Sequence, residues 1–531
     1  MNITDFEKTS NPSDRYRHEL FKEVLKGLSR EEDFNNIISA NKPYPINYIG
    51  NYSNIKVGII GAGVAGLAAA FELQKLGCQI TIIEANPNRI GGRVATHYFG
   101  DDLYGELGAM RVPISHETTW HYINLFNLET KPFIQNSENN ILYSNGVRIR
   151  GENIDQEIME KLYPLYELSE WERRTPYSKL VEYAYNQVLI NMPPIERKQL
   201  YSIQPVYSEN INYLDSMNFL VACKNLGYSE GAINLLSNTL GIDREFFYHS
   251  YVELLREMYG ANFSYVYRIE HGTSELPKAF YQALKQKEPQ VQFKLGASVY
   301  GIYQNLNQVT IKYKENDMKY DTFDYLICAV PFSVLRTIDI KPRFSDSKMN
   351  SIREVGYSNA QKTLFLCNKR FWEMKKDQET VIGGNASSDL AITTQWFPSI
   401  RYKSNYGVLT ASYNIDQDAA RIYNLAPDKR FEVIKRQVEE VHGLPEHYLD
   451  SIVEDYITMD WNSNPYTLGG FAWYNAGQNQ FFSYYSTLPE YNNKVFFAGE
   501  QSSYLHAWMQ GALQTGMIAA NQIAYELMKG I

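Results

Sequence analysis

The stretch "KVGIIGAGVAG", residues 56–66, decides the fold. Its first five residues are a short apolar run that reads as a strand. A G-x-G-x-x-G pattern follows, with Gly61, Gly63 and Gly66 in the glycine positions. A helix then runs to about Gly77, and "QITIIEA" (79–85) supplies a second strand. In such a β-α-β unit the first glycine permits the tight turn, the second lets a pyrophosphate approach, and the third lets helix and strand pack closely. The helix N-terminus offers N–H donors and partial positive charge to a phosphate. Glu84 ends the second strand 18 residues after Gly66, where an acid accepts ribose hydroxyls. A nucleotide is therefore expected on Gly61, Gly63, Ala65, Gly66, Glu84 and Ala85. The acid argues against NADP, whose extra phosphate it would repel.

Working outward, residues 15–27 carry Tyr16, Leu20, Phe21, Val24 and Leu25 at helical spacing. The segment "ANKPYPINYIGNYSN" (40–54) is a Pro/Gly/Asn-rich connector. Residues 151–260 read mostly as helices, and 291–313 alternate like hairpin strands. "DYLICAVP" (324–331) and "KVFFAGE" (494–500) are apolar strands suited to a buried sheet. The second of these feeds a helix from about Ala507 to Leu527.

The bulk numbers exclude more than they assert. A chain of 531 residues with 44% hydrophobic and 21% charged residues has core enough for two or three domains. Its formal charge of −9 lacks the clustered Lys and Arg that nucleic acid requires. Cys78, Cys223, Cys328 and Cys367 lie far apart, fit no metal spacing, and read as small buried hydrophobes. The N-terminus lacks the apolar core of a signal peptide, and no apolar run reaches the roughly eighteen residues of a spanning helix. A cytoplasmic protein with no membrane, nucleic-acid or metal partner is expected. Its oligomeric state stays open, with a homodimer the commonest alternative to a monomer.

Further motifs carry a resemblance. "EANPNRIGGRVAT" (84–96) places two glycines between Arg89 and Arg93. "GTSELPKAF" (272–280), "KTLFLCNKRFWE" (362–373), "DWNSNPYTLGGF" (460–471) and "FFAGEQSSYLHAWMQGALQTGMIAA" (496–520) follow in order. From about residue 54 onward the chain resembles the flavin amine oxidase family, which contains monoamine, polyamine and L-amino-acid oxidases. The resemblance implies FAD. Arg89, Gly92 and Arg93 would serve its pyrophosphate and Val299 its adenine. Gly108, Ala109, Met110, Trp461, Gly499 and Glu500 would lie along it, and Met509 would begin a helix whose positive end faces the flavin. Monoamine oxidases carry a flavin-bonding cysteine just after the "GG"; Phe471 stands there, which implies non-covalent FAD.

The expected fold is thus α/β: a doubly wound, Rossmann-like FAD domain, a mixed-sheet substrate domain and a helical insertion. The expected divisions are 1–53 as an N-terminal helical extension and linker, and 54–99 with 262–345 and 488–531 as the FAD domain. Residues 100–150 with 346–487 would form the substrate domain, and 151–261 the helical one.

The chemistry follows from the same resemblance. Lys362 would hold a water near the flavin and assist the reaction with oxygen. Trp508 would wall the substrate on one side, and either Trp396 or Phe397 on the other, since strand neighbours point to opposite faces. The Ala507 carbonyl would take the substrate amine. Arg111 sits in "GELGAMRVP" (105–113), where L-amino-acid oxidases grip the substrate carboxylate with an arginine. A guanidinium leaving water needs such a partner, and the structural alternative is a salt bridge to Glu106 or another acid. His116 reads as a helix-start residue, and His506, beside Ala507, is a candidate cavity residue. The leading reading is an FAD-dependent L-amino-acid oxidase using oxygen. An amino-acid 2-monooxygenase shares "GAMR-x-P" and is the alternative, ahead of an amine or polyamine oxidase and of a flavin protein without turnover. Side-chain preference would be set within 151–260 and 380–400. A buried acid there would mean lysine or arginine, and an apolar lining phenylalanine, tryptophan or leucine.

Overall fold

The computed structural model describes residues 6–529 apart from 101, 152 and 374–380. Its centre is a five-stranded sheet of β1 (Lys56–Ile60), β2 (Gln79–Glu84), β3 (Val291–Leu295), β4 (Tyr325–Cys328) and β5 (Val495–Phe497). The strands lie in the order β3-β2-β1-β4-β5, and every neighbouring pair is parallel. A parallel sheet is covered on both faces, which is why β1, β4 and β5 are almost wholly apolar and buried. Helix α1 (Val64–Leu73) follows β1 directly and is buried nearly all round. Helix α2 (Met509–Lys529) lies along it, and the two approach so closely that a Cβ on Gly516 would fall on the Ala65 carbonyl oxygen. The α/β class and the β-α-β unit are as the sequence predicts.

One expectation is corrected. Residues 291–313 are not one hairpin, because Val291–Leu295 joins the parallel sheet beside β2. The hairpin is Ser298–Asn305 with Gln308–Lys314, and a bulge falls between Val299 and Gly301. Alternation is shared by both kinds of strand, so it does not reveal the pairing partner.

A seven-stranded mixed sheet forms a second layer. Its order is Val453–Asp460, Ala360–Cys367, Gly407–Ile415, Thr394–Trp396, Asn385–Ser388, Ile141–Ser144 and Val147–Arg150. Helices fill most of 154–259. One large core joins the helix Asp14–Gly27, α1, this helical region and α2; another lies around Phe365, Trp372, Phe397 and Leu409 at the mixed sheet. The four cysteines are buried and free. No helix among the described residues is long and apolar enough to cross a membrane.

Candidate functional site

The turn between β1 and α1 is the first half of the site. Gly61 has φ +101°, a conformation L side chains rarely adopt, and its N–H donates to the Ile83 carbonyl. A Cβ on Gly66 would fall on the Gly61 carbonyl oxygen, so only glycine lets α1 sit this close to the turn. At Gly63 the Cβ position has no neighbour within 4 Å, which leaves the approach a phosphate needs. Glu84 is buried, and each of its carboxylate oxygens accepts one backbone N–H, from Ala62 and Asn86, both at 2.8 Å. These contacts fix the carboxylate at the mouth of the turn.

A cavity of about 590 Å³ opens from this turn and continues to the mixed sheet. Arg89 and Arg93 line it. Arg93 is paired with Glu500 at 2.8 Å, and Glu500 also accepts the backbone N–H groups of Ala472 and Ala507. Glu500 therefore ties three segments of the wall together. Ala507 itself is held at φ +63°, and Met509 begins α2 at the cavity.

Arg111 and Lys362 stand at the far end. The Arg111 guanidinium lies over the rings of Trp396 (4.7 Å), Phe263 (5.4 Å) and Phe133 (5.9 Å), and donates to Gln135 at 2.5 Å. Glu106, the acid beside it in sequence, is held instead by the Thr273 backbone and hydroxyl and by Thr96. Lys362 is 3% exposed; its ammonium donates to the Gly108 carbonyl at 2.7 Å and lies over the Tyr413 ring. Burial pulls its pKa down to about 7, with Glu106 opposing and Arg111 reinforcing the shift.

A family model described as flavin containing amine oxidoreductase matches residues 64–524. The chain belongs to that family. It is an oxidoreductase and carries a flavin, and the open cradle at Gly63 with the fixed acid at Glu84 fits such a group. Among curated relatives, an L-amino-acid oxidase of Sistrurus catenatus edwardsii is 29% identical over 505 residues, covering 94% of this chain and 92% of its own. One of Vipera ammodytes ammodytes is 27% identical, covering 94% and 98%. Solved structures of a putrescine oxidase (a double mutant) and of cyclohexylamine oxidase from Brevibacterium oxydans IH-35A each superpose with a TM-score of 0.69. At 19% and 18% identity, covering 88% and 89% of this chain and 99% of theirs, they show the shared fold.

In this flavin oxidoreductase most of the residues singled out from sequence meet in the one cavity. Gly61, Gly63, Ala65, Glu84, Ala85, Arg89, Gly92, Arg93, Val299, Trp461 and Gly499 line it beside Glu500. So do Gly108, Ala109, Met110, Arg111, Lys362, Ala507, Trp508 and Met509. Three are not on the wall. Gly66 lies beneath the turn, where its lack of a side chain serves packing. Phe397 is fully buried in the mixed-sheet core against His442, so it is not a substrate wall. Its neighbour Trp396 points the other way and reaches the cavity through Arg111.

The histidines divide likewise. His116 immediately precedes the helix Glu117–Leu125, as its sequence position suggests. Its buried ring lies edge-on to Trp508 at 5.0 Å, and burial lowers its pKa to about 3. His506 does not line the cavity. Its Nδ1 is 2.7 Å from Glu253, and its ring packs on Tyr474.

Sequence reasoning missed Glu257. It lies on the helix Tyr251–Tyr259, lines the cavity, and accepts from Trp508 Nε1 with both oxygens, at 2.9 and 3.0 Å. Burial raises its pKa to about 7. Its helix also carries Glu253 and Arg256, and charged residues on a helix ordinarily mark a solvent face, so no local signal singles Glu257 out.

Proposed function

We propose that this flavoenzyme oxidises the α-carbon–nitrogen bond of an L-amino acid. FAD is held without a covalent link, and oxygen is the final electron acceptor. The observation that carries the reading is an arginine among aromatic rings in the same cavity as the flavin cradle. A guanidinium there offers a carboxylate two charge-assisted hydrogen bonds and a fixed orientation. A simple amine has nothing to give it. The relatives named L-amino-acid oxidase, matched over 94% of the chain, support the same reading.

FAD, when bound, supplies hydride acceptance from the α-carbon and delivery of both electrons to oxygen as hydrogen peroxide. The residues do the rest. Arg111 grips the carboxylate, and the Trp396 and Phe263 rings keep its plane in place. The Ala507 carbonyl receives the α-amine, and Trp508 closes the wall against water. Lys362, poised near neutrality, holds or releases a proton at Nζ and positions a water for the oxygen step. The imino acid leaves and hydrolyses to a 2-oxo acid and ammonia.

The test is anaerobic. The yellow protein is mixed with L-amino acids, D-amino acids, simple amines and spermidine, and flavin absorbance is followed. Bleaching by L-amino acids alone is expected. Bleaching by amines alone would make Arg111 structural and overturn the reading. Product analysis in air then separates the 2-oxo acid of an oxidase from the amide of a 2-monooxygenase.

A further inference from the structure

Besides the cations Arg111 and Lys362, the cavity is lined by an acid, Glu257. The Glu257 carboxylate is 4% exposed, and its donors are neutral: Trp508 Nε1, and Asn262 Nδ2 at 3.0 Å. A carboxylate has about four lone-pair sites, so these leave room for a further donor. The arginine on its own helix, Arg256, is taken by Glu253 at 2.7 Å. Among the described residues, no lysine, arginine or histidine lies within ion-pair distance of Glu257. Arg111 acts on it only through space; a buried acid with no counter-charge in contact is costly, and the cavity is the side from which one can come.

The surroundings describe what fits there. Leu254 and Met258, on the same helix, line the cavity beside Glu257 and suit an aliphatic stem. Phe263 and Trp508 lie 5.6 Å apart ring to ring and present faces that favour a cation. Arg111, also on the wall, repels a cation and attracts a carboxylate.

We infer that Glu257 sets substrate choice by receiving the cationic end of a basic amino-acid side chain while Arg111 receives the α-carboxylate. The substrate class is then a diamino or guanidino monocarboxylic acid. This rests on the amino-acid reading above. The two charges, acid and base in one cavity, fix which end of a doubly charged substrate goes where.

The experiment uses the flavin-loaded enzyme and Glu257→Gln, which keeps the volume and an acceptor for Trp508. Anaerobic flavin reduction is measured with L-lysine against L-norleucine, which lacks only the terminal amine, and with 1,5-diaminopentane against pentylamine. The wild type should favour lysine. In Glu257→Gln, with its flavin spectrum retained, the lysine-to-norleucine ratio of kcat/KM should fall by about 30-fold or more, the loss expected for a buried charge pair. A wild-type preference for norleucine would overturn the inference. So would an equal loss on both substrates, which would leave Glu257 only as the support of Trp508. Turnover of amines without amino acids would instead overturn the amino-acid reading, and Glu257 would then be judged on the diamine-to-monoamine ratio.

Discussion

Lys362 is buried and Arg111 half-buried, and the two cations differ in what leaving water does to them. Arginine keeps its charge at any accessible pH, so Arg111 is a permanent positive charge on the cavity wall. Arg111→Ala should raise KM for an L-amino acid by about 30- to 1,000-fold, from a loss of roughly 2–4 kcal/mol, and change that for the matching amine far less. Steady-state kinetics on the pair would check it, and equal effects would remove the clamp. Lysine yields its proton instead, and Lys362→Met should slow flavin reoxidation in stopped flow. Stability carries a second signature. Lys362 titrates at about 7 when folded, against the ordinary 10.5 of an exposed lysine. Between those values the unfolded chain binds a proton that the folded chain lacks, so the residue's cost to folding is greatest below about 7 and fades as pH rises. Lys362→Met should therefore raise the unfolding temperature at about pH 7 and have little effect near pH 10, which calorimetry at both values would show.

At the scale of elements, the site depends on how closely two helices and a turn approach. Gly66 and Gly516 each stand where a methyl group would meet a backbone carbonyl oxygen rather than a side chain that can move aside. Gly66→Ala pushes α1 away from the turn and Gly516→Ala pushes α2 away from α1. Each should cost about 1–3 kcal/mol or more. Gly66→Ala should also lower the flavin content, because the cradle changes shape, and the ratio of flavin to protein absorbance measures that directly. The helix Tyr251–Tyr259 makes the complementary point. It has Glu253, Arg256 and Glu257 among its buried residues, so its charged side chains face the interior.

For the whole molecule, the N-terminal segment is a clamp. Arg17 is 1% exposed and donates to the Ile114 carbonyl and to Glu117, with its guanidinium over the Trp120 ring. Further along, the Ala40 and Asn41 carbonyls accept the side-chain amides of Gln514 and Gln510 on α2. Gln510 follows Met509, so the clamp acts on the helix end that lines the cavity. Arg17→Ala leaves Glu117 paired with His18 alone, at 3.1 Å, and should cost about 1.5–3 kcal/mol. Limited proteolysis within 41–55, together with the unfolding temperature, would report it; an unchanged cleavage rate would mean the segment docks without Arg17.

The β-α-β unit was legible because its signals are local: the glycine positions, the apolar strands and Glu84 follow from turn geometry and from which residues tolerate a buried parallel sheet. Arg111 and Lys362 were legible as cations in apolar segments, and the side that Lys362 takes follows from strand alternation. Three things were not legible. Val291–Leu295 alternates like its neighbour, so only long-range pairing placed it in the central sheet. Trp396 ends a strand and Phe397 follows it, and which of them turns toward Arg111 depends on where the sheet meets the rest of the protein. Glu257 sits on a helix with no solvent face, where polar residues ordinarily mark the outside. The sequence by itself determined the cradle, the family and the presence of an arginine in an apolar stretch, because these depend on neighbours a few residues away. Only the tertiary structure decided which aromatic packs against Arg111 and which acid lines the cavity, because burial joins residues hundreds of positions apart and no local pattern records it.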